Sequence, residues 1–486
     1  MFILFPTQLF RNFTAIKNDD VYLVEEPYYF SRLKFHKLKI AYHRATMKKY
    51  FQDIKNNNIN IKYIEFKNVK DFYNKNKNKN ITIYHPTDLP LLEQLQKQFK
   101  NLTILSTLNF TFSHLESKNI KKQCFKNNKY YHDKFYKLQR KRLDILIKDN
   151  KPVRGRWSFD NFNRLKFPDD ISIPELPRIK KDKIIKEAIS YTNKHFKSNY
   201  GSLDHFIYPI SLTSSRNWLR IFLKERLNNY GPYQDAVNKD EPFGFHAIIS
   251  PMMNVGMLTD MEVVEISYEY YLKNKNKIPI ESFEGFIRQV IGWRNYVYLI
   301  YLEDGNKMQN MNFLKHKNKI NNKFWEATTG ITVIDNIIKN IQKYAYAHHI
   351  ERLMYLGNFL LLLQTHPDEV YRIFMEWTID SYDWVMIPNV YGMTQFADGG
   401  MMMTRIYFSS SNYIFKMSQY KKSIKSEDKW WEIWDALYYN FINKHKKILK
   451  NNYATSRQVK HWENKTKKEQ KELISKAKSY IKSLKN

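Results

Sequence analysis

An adjacent pair of histidines, His348 and His349, lies in a segment with helical spacing at residues 344–359. Residues three and four positions apart share one face of a helix, so Arg352 and Leu353 should lie beside the pair. Imidazole is the side chain whose ordinary pKa lies near neutrality, and beside a fixed arginine it can position and donate a proton. The segment therefore predicts acid–base chemistry in a closed pocket.

A second segment, at residues 381–405, supplies an anion, an amide and a sharp bend. Asp383 and Asn389 flank Trp384 and Pro388, and two successive glycines follow. Packing alone could explain either segment, since a histidine on an apolar helix is usually a satisfied core residue and a proline can simply break a helix. The two segments together favour a functional site.

Short apolar runs alternate with helical stretches over residues 1–130, as in FILF, DVYLVEE and NITIYH. This alternation indicates an α/β domain, a parallel sheet with crossover helices. The first glycine of the chain is Gly155. Because dinucleotide loops and P-loops need glycines where the backbone approaches phosphate, the domain should bind a nucleotide in neither way.

Helical periodicity dominates from about residue 180. We predict a connecting helix and linker at 131–179, a large all-α domain at 180–440 and a basic helical tail at 441–486. The last segment of the tail, KTKKEQKELISKAKSYIKSLKN, is typical of an amphipathic surface helix. An arm that contacts a nucleic-acid backbone is the alternative.

The composition permits nucleic-acid binding without establishing it. The 486 residues include 80 Lys and Arg against 48 Asp and Glu, a net charge of +32, which suits a protein that lies on phosphate. Many lysines, however, fall in solvated tracts such as YNKNKNKN. The single cysteine, Cys124, fits a reducing compartment. No apolar run approaches the roughly 20 residues that span a bilayer, so we expect an intracellular protein that is not secreted and contacts no membrane.

The two segments, with GWRNYVY at 292–298 and WSFDNFNR at 157–164, resemble the photolyase/cryptochrome superfamily. Within it the chain looks most like the photolyase-related branch of bacterial iron–sulfur (6-4) photolyases. The resemblance implies an α/β antenna-type domain and an all-helical FAD domain in a monomer that repairs UV-damaged DNA under blue light. A cryptochrome-like photoreceptor, a cyclobutane pyrimidine dimer photolyase and a flavin-free DNA-binding descendant remain alternatives.

The resemblance also assigns residues to FAD. Arg352 and Asp383 match an ion pair beside the isoalloxazine ring, where a fixed pair would tune a reduced flavin. Asn389 matches the residue that faces flavin N5, and its amide can both donate and accept. The other cofactor residues implied are Gly231, His246, Ser250, Asn254, Gln289, Trp293 and Arg294.

The lesion side of the site is implied in the same way. A photolyase flips a fused pyrimidine pair out of the duplex into its cavity. Repair of a (6-4) product also moves a hydroxyl group between bases, and His349, supported by His348, is the candidate proton donor. Tyr407 is the third catalytic candidate. The lesion would contact Trp293, Leu353 and Met393.

The chain departs from the family in its cluster and its electron relay. A [4Fe-4S] cluster needs cysteine thiolates, so we expect none, and we expect the aromatic segment at 430–441 to compensate by packing. The relay keeps Trp325, but Ile373 and Phe374 replace its outer pair, with Trp377 and Trp384 as nearby substitutes. The four cluster positions hold Val333, Lys421, Ile424 and Glu432.

The antenna motif is altered too. The family's glycine–aspartate before Gln8 is Pro6 and Thr7 here, which stiffens the loop near a chromophore. This weighs against the usual ribityllumazine antenna and leaves its binding open. The implied antenna residues are Glu25, Glu26, His36 and Lys39, with Arg44 nearby.

Overall fold

A parallel sheet forms the centre of the N-terminal layer. Its strands are β1 (Phe2–Leu4), β2 (Val21–Val24), β3 (Ile61–Ile64), β4 (Asn80–Tyr84) and β5 (Asn101–Leu105). In this computed structural model, which describes residues 1–162, 164–422 and 428–484, the strand order is β3-β2-β1-β4-β5 and every pairing is parallel. All residues of β1 are buried, so both faces of the sheet are covered. The predicted α/β fold is confirmed.

Helices connect these strands as crossovers, as a parallel sheet requires. The longest, α2, begins after His36, whose ring accepts a hydrogen bond from the Leu38 N–H group and caps the helix. The helices of this region are α1 (Pro27–Phe30), α2 (Lys37–Asn56), α3 (Val69–Asn76), α4 (Leu89–Gln98) and α5 (Ser117–Cys124).

The segment after the sheet contains two short hairpins and two helices. These are β6 (Phe125–Lys126), β7 (Lys129–Tyr130), α6 (His132–Arg142), β8 (Ile147–Lys148), β9 (Lys151–Pro152) and α7 (Lys183–His195). Helix α6 packs on the helical layer, whereas α7 packs along α2. Arg44 of α2 pairs with Glu187 of α7 at 2.5 Å. The predicted boundary at residue 180 assigns α7 to the all-α domain, whereas α7 packs on α2 of the N-terminal layer.

The remainder is predominantly helical, as predicted. No helix within the described residues has the length and apolarity to cross a bilayer. The helices are α8 (Leu212–Glu225), α9 (Leu227–Tyr230), α10 (Ser250–Asn254), α11 (Asp260–Lys273), α12 (Ile280–Ile287), α13 (Asn295–Gln309), α14 (Asn322–Glu326), α15 (Thr332–Tyr344), α16 (Asn358–Leu362), α17 (Pro367–Trp377), α18 (Asp383–Ile387), α19 (Ser411–Met417), α20 (Trp430–Lys450), α21 (Ser456–Glu463) and α22 (Lys467–Ser483).

The basic C-terminal helix α22 is a surface helix that docks on the helical layer. It begins with a capping box between Thr466 and Glu469, and it packs against α20. Tyr480 places its ring 6.3 Å from that of Phe359 and donates a hydrogen bond to the Thr329 carbonyl at 2.8 Å. The apolar face of the amphipathic helix α22 thus packs against the helical layer.

Replacement of Tyr480 by alanine should destabilise the protein. The change removes a packed ring and leaves the Thr329 carbonyl without this donor, and such losses cost about 2 kcal/mol or more. Tyr453→Ala is the matched control, because that ring is 99% exposed. Denaturant unfolding measures the difference, and equal free energies of unfolding for the two variants would contradict the docking of α22.

Candidate active site

A cavity of about 300 Å³ lies in the helical layer. Three π-helical segments meet at it: Arg288–Arg294, Glu351–Gly357 and Pro388–Thr394. A π turn inserts one extra residue into a helix and is frequent at functional sites. These segments supply the cavity lining residues Gln289, Trp293, Arg294, Arg352, Leu353, Asn389 and Met393, all of which had been predicted for the site.

A non-helical segment at 246–249 forms another wall and leads into α10. The Trp218 indole fixes it by donating to the Ala247 carbonyl at 2.9 Å. Ile248 has φ = 53°, a left-handed conformation that is unfavourable for a β-branched residue. The predicted residues His246, Ser250 and Asn254 all line this wall.

The carboxylate beside Arg352 is Asp380, and the predicted pairing of Arg352 with Asp383 is wrong. The Arg352 Nη1 atom lies 2.9 Å from Asp380 Oδ1. Asp380 also accepts a hydrogen bond from Ser250 Oγ at 2.6 Å, and its main-chain carbonyl accepts one from Asn254 at 2.8 Å. Both members of the ion pair line the cavity.

Asp383 faces the N-terminal layer instead of the cavity. Its Oδ1 atom accepts hydrogen bonds from Arg32 at 2.6 Å and from Tyr371 at 2.5 Å, and its Oδ2 atom accepts one from Tyr28. Asp383 begins α18, so a short loop separates it from Asp380 and turns the two carboxylates to different surroundings. Asp383 therefore connects the two layers.

Arg294 continues the polar wall. Its Nε donates to Asp260 Oδ1 at 2.7 Å and its Nη1 donates to Asn254 Oδ1. The guanidinium lies 4.7 Å from the centre of the Trp384 ring. Burial raises the pKa of Asp260 to about 6, with Arg294 opposing the shift. Nη2 of Arg294 has no hydrogen-bond partner among the described residues, so a donor is left for a ligand.

The two adjacent histidines have different surroundings. His349 lines the cavity and is accessible to solvent there, although protein atoms surround its ring closely enough to desolvate it. His348 is buried outside the cavity lining: its ring stacks on His246 at 4.5 Å, and its main-chain N–H donates to Glu351 at 3.1 Å. His348 therefore supports the wall through His246, and of the predicted pair only His349 can reach a molecule in the cavity.

The histidines stay neutral over most of the pH range. Burial, then the Arg352 charge, lowers the pKa of His349 to about 4, and burial, then His349, lowers the pKa of His246 to about 3. Burial also raises the pKa of Glu351 to about 8. Around pH 7 the Arg352–Asp380 pair is thus surrounded by largely neutral side chains.

Gly231 and Tyr407 do not line the cavity. A Cβ atom on Gly231 would lie 2.6 Å from Ser282 Oγ, so this glycine allows α9 and α12 to approach closely. The half-buried Tyr407 ring lies under the Arg405 guanidinium at 5.4 Å. Their predicted roles find no support in these contacts.

Two of the three predicted relay residues lie together. The ring of the fully buried Trp377 is 5.5 Å from that of Trp325, which is half-exposed. Trp384 lines the cavity, as does Phe374, which precedes Trp377 by one helical turn on α17. The pair therefore extends from beside the cavity to the surface.

The predicted antenna residues are bound by the protein itself. Glu25 pairs with Arg44 at 2.6 Å, and Glu26 accepts a hydrogen bond from Tyr73. The ring of His36 contacts the Gln342 carbonyl at 3.2 Å. Lys39 donates to the Ser381 carbonyl, and burial lowers its pKa to about 7.

The predicted cluster positions have unrelated environments. Val333 is fully buried in α15, and Glu432 pairs with Lys476 of α22 at 2.6 Å. Lys421 is exposed, and Ile424 lies outside the described residues. Within the part of the chain that the structure describes, no group of His, Cys, Asp or Glu side chains could hold a metal ion. As predicted, the aromatic segment at 430–441 is packed: Trp434 stacks on Phe359 at 5.3 Å.

Sequence reasoning missed Asp380, which lines the cavity, and also Asp260 and His132, which contact the lining residues Arg294 and Trp293. Asp260 is the first residue of α11, directly after the N-cap Thr259, where acidic residues are common in any helix, so its type and position give no sign of a site. The His132 ring stacks on Trp293 at 3.8 Å, but it is remote in sequence and no local signal identifies it. Asp380 was missed because the motif assignment chose Asp383, which lies three residues later.

Comparisons with known proteins show which proteins the chain is similar to in sequence and in fold. Residues 2–208 match the family model described as deoxyribodipyrimidine photo-lyase-related protein. A (6-4) photolyase from Agrobacterium fabrum is 34% identical over 356 residues, 72% of this chain and 70% of that protein. An uncharacterised protein of Acanthamoeba polyphaga mimivirus is 32% identical over 191 residues, 35% of this chain and 96% of that protein. A class III photolyase from Agrobacterium tumefaciens has a similar fold, with a TM-score of 0.56 at 12% identity, over 100% of this chain and 97% of its own.

Acid should destabilise the fold through His246. Its pKa falls from 6.5 to about 3 on folding. The contribution of the neutral ring to the free energy of unfolding is therefore complete above the ordinary pKa. It is lost as the pH falls, because the unfolded chain gains a proton on this ring that the folded chain cannot. Between about pH 7 and pH 5 this linkage amounts to about 2 kcal/mol. His246→Gln should reduce the acid-induced loss by that amount in urea unfolding. An unchanged pH slope would show that the ring is not buried in its neutral form.

Proposed function

The chain belongs to the photolyase-related family, and on that premise we propose that it is a light-dependent DNA repair enzyme, a (6-4) photolyase that uses FAD. The observation that carries the proposal is the grouping in one cavity of the Arg352–Asp380 pair, Asn389 and the exposed ring of His349. Repair of a (6-4) lesion by a reduced flavin requires a paired charge and an amide beside the flavin, and a proton donor beside the lesion.

The cavity fits FAD by its unused polar atoms. Nη2 of Arg294 and Nε2 of His246 are buried without partners among the described residues, and such atoms are costly unless a ligand satisfies them. Bound FAD would supply, when reduced, the electron that light transfers to the lesion. The residues proposed to hold it are His246, Ser250, Asn254, Gln289, Arg294, Arg352, Asp380 and Asn389.

The Arg352–Asp380 pair would hold a fixed positive charge beside the ligand. Ser250 binds the Asp380 carboxylate and Asn254 binds the Asp380 main-chain carbonyl, so both hold in place the residue that pairs with the guanidinium. Arg352 Nε also donates to the Ala347 carbonyl at 2.6 Å. A restrained guanidinium stabilises an anion without reorganising when charge moves.

Trp293 and its neighbours form the proposed lesion wall. The half-buried indole is backed by the parallel ring of His132, 3.8 Å away, which keeps its plane fixed. A rigid aromatic face can stack on a flipped base. Gln289 would meet a base edge, and Leu353 and Met393 supply apolar lining.

His349 is the proposed proton donor for the (6-4) lesion. The low pKa of its ring, about 4, arises first from desolvation by the surrounding protein and then from the Arg352 charge. A lesion phosphate or developing oxyanion nearby would offset that charge and raise the pKa of His349. The ring would thus gain its proton when substrate binds and donate it during the reaction.

The decisive experiment replaces His349 by alanine and offers both lesions under blue light. The variant should retain FAD and lose (6-4) reversal by on the order of 100-fold, because a general acid contributes in this range. Splitting of a cyclobutane dimer needs no such proton transfer, so any dimer repair should persist. Product analysis by chromatography measures both reactions.

Other outcomes identify the alternative functions. Dimer repair without (6-4) repair by the unaltered protein would identify a cyclobutane dimer photolyase. Flavin photoreduction without repair of either lesion would favour a cryptochrome-like photoreceptor. Damaged-DNA binding by a protein that takes up no flavin would leave the flavin-free descendant.

A pair of variants tests which aspartate serves the cofactor. Asp380→Asn should weaken FAD binding roughly tenfold or more, because a charged hydrogen bond of about 1.5–3 kcal/mol is lost and Arg352 is left unpaired. Asp383→Asn should instead lower the free energy of unfolding by about 2 kcal/mol, since its partner Arg32 is partly exposed. Flavin titration and urea unfolding on both variants separate the effects. Loss of FAD in Asp383→Asn alone would restore the sequence-based assignment.

A further inference from the structure

The turn between α20 and α21 is basic and carries a fully exposed aromatic ring. Residues 443–462, which include this turn, contain six Lys and Arg and no Asp or Glu. Tyr453, at the tip of the turn, is 99% exposed. We call residues 450–457 the basic turn. Exposed lysines are ordinary on a protein surface, so a partner has to be argued from the conformation and the position of the turn.

Hydrogen bonds fix the backbone of the basic turn. The Thr455 hydroxyl donates to the Leu449 carbonyl at 2.7 Å, and the Ala454 N–H group donates to Asn452 Oδ1 at 3.0 Å. The Tyr453 ring is therefore held out into solvent by a hydrogen-bonded segment. Because the ring buries no surface, it contributes no packing to the fold.

The stability of α21 does not explain the cation at Arg457. This residue lies in the first turn of α21, where the helix dipole disfavours a positive charge. Its side chain is exposed and forms no ion pair among the residues that the structure describes. Lys460 follows three positions later on the same face and is exposed too. An anion outside the protein would offset this unfavourable charge.

The basic turn lies next to a loop that runs close to the cavity. Asn452 Nδ2 donates to the Thr404 carbonyl at 3.1 Å. The next residue, Arg405, is exposed, and its guanidinium lies over the Tyr407 ring. Burial raises the pKa of Tyr407, and so does the charge of Asp235, a residue that lines the cavity. Exposed cations thus continue from the cavity side, through Arg405, to the basic turn.

We propose that the basic turn binds the phosphate backbone of the duplex on one side of the lesion. The inference rests on the proposed function. When a damaged pair enters the cavity, the duplex on each side of it must cross the surface around the opening. Lys450 and Arg457 neutralise phosphates there, and the Tyr453 hydroxyl donates to a phosphate oxygen. An acidic protein would meet the same cations, but it would not require them beside the cavity.

The test uses two duplexes that carry the same (6-4) lesion. One extends about 15 base pairs, roughly 50 Å, to the 5′ side of the lesion and about 3 to the 3′ side, and the other has the opposite arrangement. The whole chain, loaded with FAD and kept in the dark, is titrated with each duplex by fluorescence anisotropy. Lys450→Ala/Arg457→Ala should lower the affinity about tenfold for only one of the two, because the turn lies to one side of the cavity. For that duplex the slope of log Kd against log salt should fall by about 2, one unit for each phosphate contact.

Two further variants sharpen the test. Tyr453→Phe should lower the affinity for the same duplex about threefold, because it removes a single hydrogen bond. Lys70→Ala/Lys97→Ala removes two exposed cations from α3 and α4 of the N-terminal layer and is the matched control, which should change neither affinity. All of these side chains are exposed, so equal free energies of unfolding in urea would verify that the variants are folded.

Several outcomes overturn the proposal. An equal loss for both duplexes, or an equal effect of the control variant, would leave only general electrostatic attraction. Unchanged affinity for both duplexes would overturn it as well, and binding of polyglutamate that Lys450→Ala/Arg457→Ala abolishes would then identify an acidic protein as the partner. If the unaltered protein binds damaged and intact duplexes equally, the proposed function itself fails, a result distinct from the absence of a one-sided loss.

Discussion

A carboxylate buried beside a cavity must be paired, and Asp380 meets this requirement with partners from separate parts of the chain. Arg352 contributes an ion pair at 2.9 Å and Ser250 a hydroxyl at 2.6 Å. The main-chain carbonyl of Asp380 binds Asn254, which also accepts from Arg294. Removal of one member would leave charges unsatisfied in a poorly solvated place. The positions of the cavity walls relative to one another therefore depend on this carboxylate.

The same chain segment ties the cavity to the N-terminal layer. Three residues after Asp380, the carboxylate of Asp383 binds Arg32 of the other layer at 2.6 Å. The next N–H group, that of Trp384, donates to Asp88 at 3.3 Å, while the Trp384 ring lines the cavity. Docking of the sheet and the shape of the cavity are thus coupled through four adjacent peptide units.

Much of the fold and part of the site could be predicted, for reasons that differ. The parallel sheet follows from local alternation of apolar runs and helices, and residues such as Asn389 and Gln289 were identified by specific motifs. The π-helical segments could not be foreseen, and their extra residue shifts the register of a helix face. The predicted helix over 344–359 is also interrupted: α15 ends at Tyr344, Ala345 is left-handed with φ = 53°, and residues 346–348 are non-helical. His348 therefore precedes the helical turn that His349 begins, and only His349 lines the cavity. Choosing Asp380 over Asp383 required knowing where α18 begins.

The C-terminal region shows how packing can hold a segment at which the resembled iron–sulfur photolyases bind a metal cluster and for which we expected none in this chain. Val333 is fully buried, and the exposed pair of Glu432 with Lys476 contributes little, since such pairs are worth about 0.2–1 kcal/mol. Trp434 is fully buried against Phe359, and burial of a large side chain contributes several times more. Aromatic packing beneath α22 is consequently the main source of stability in the C-terminal region. The basic tail therefore contributes to folding through its buried side chains.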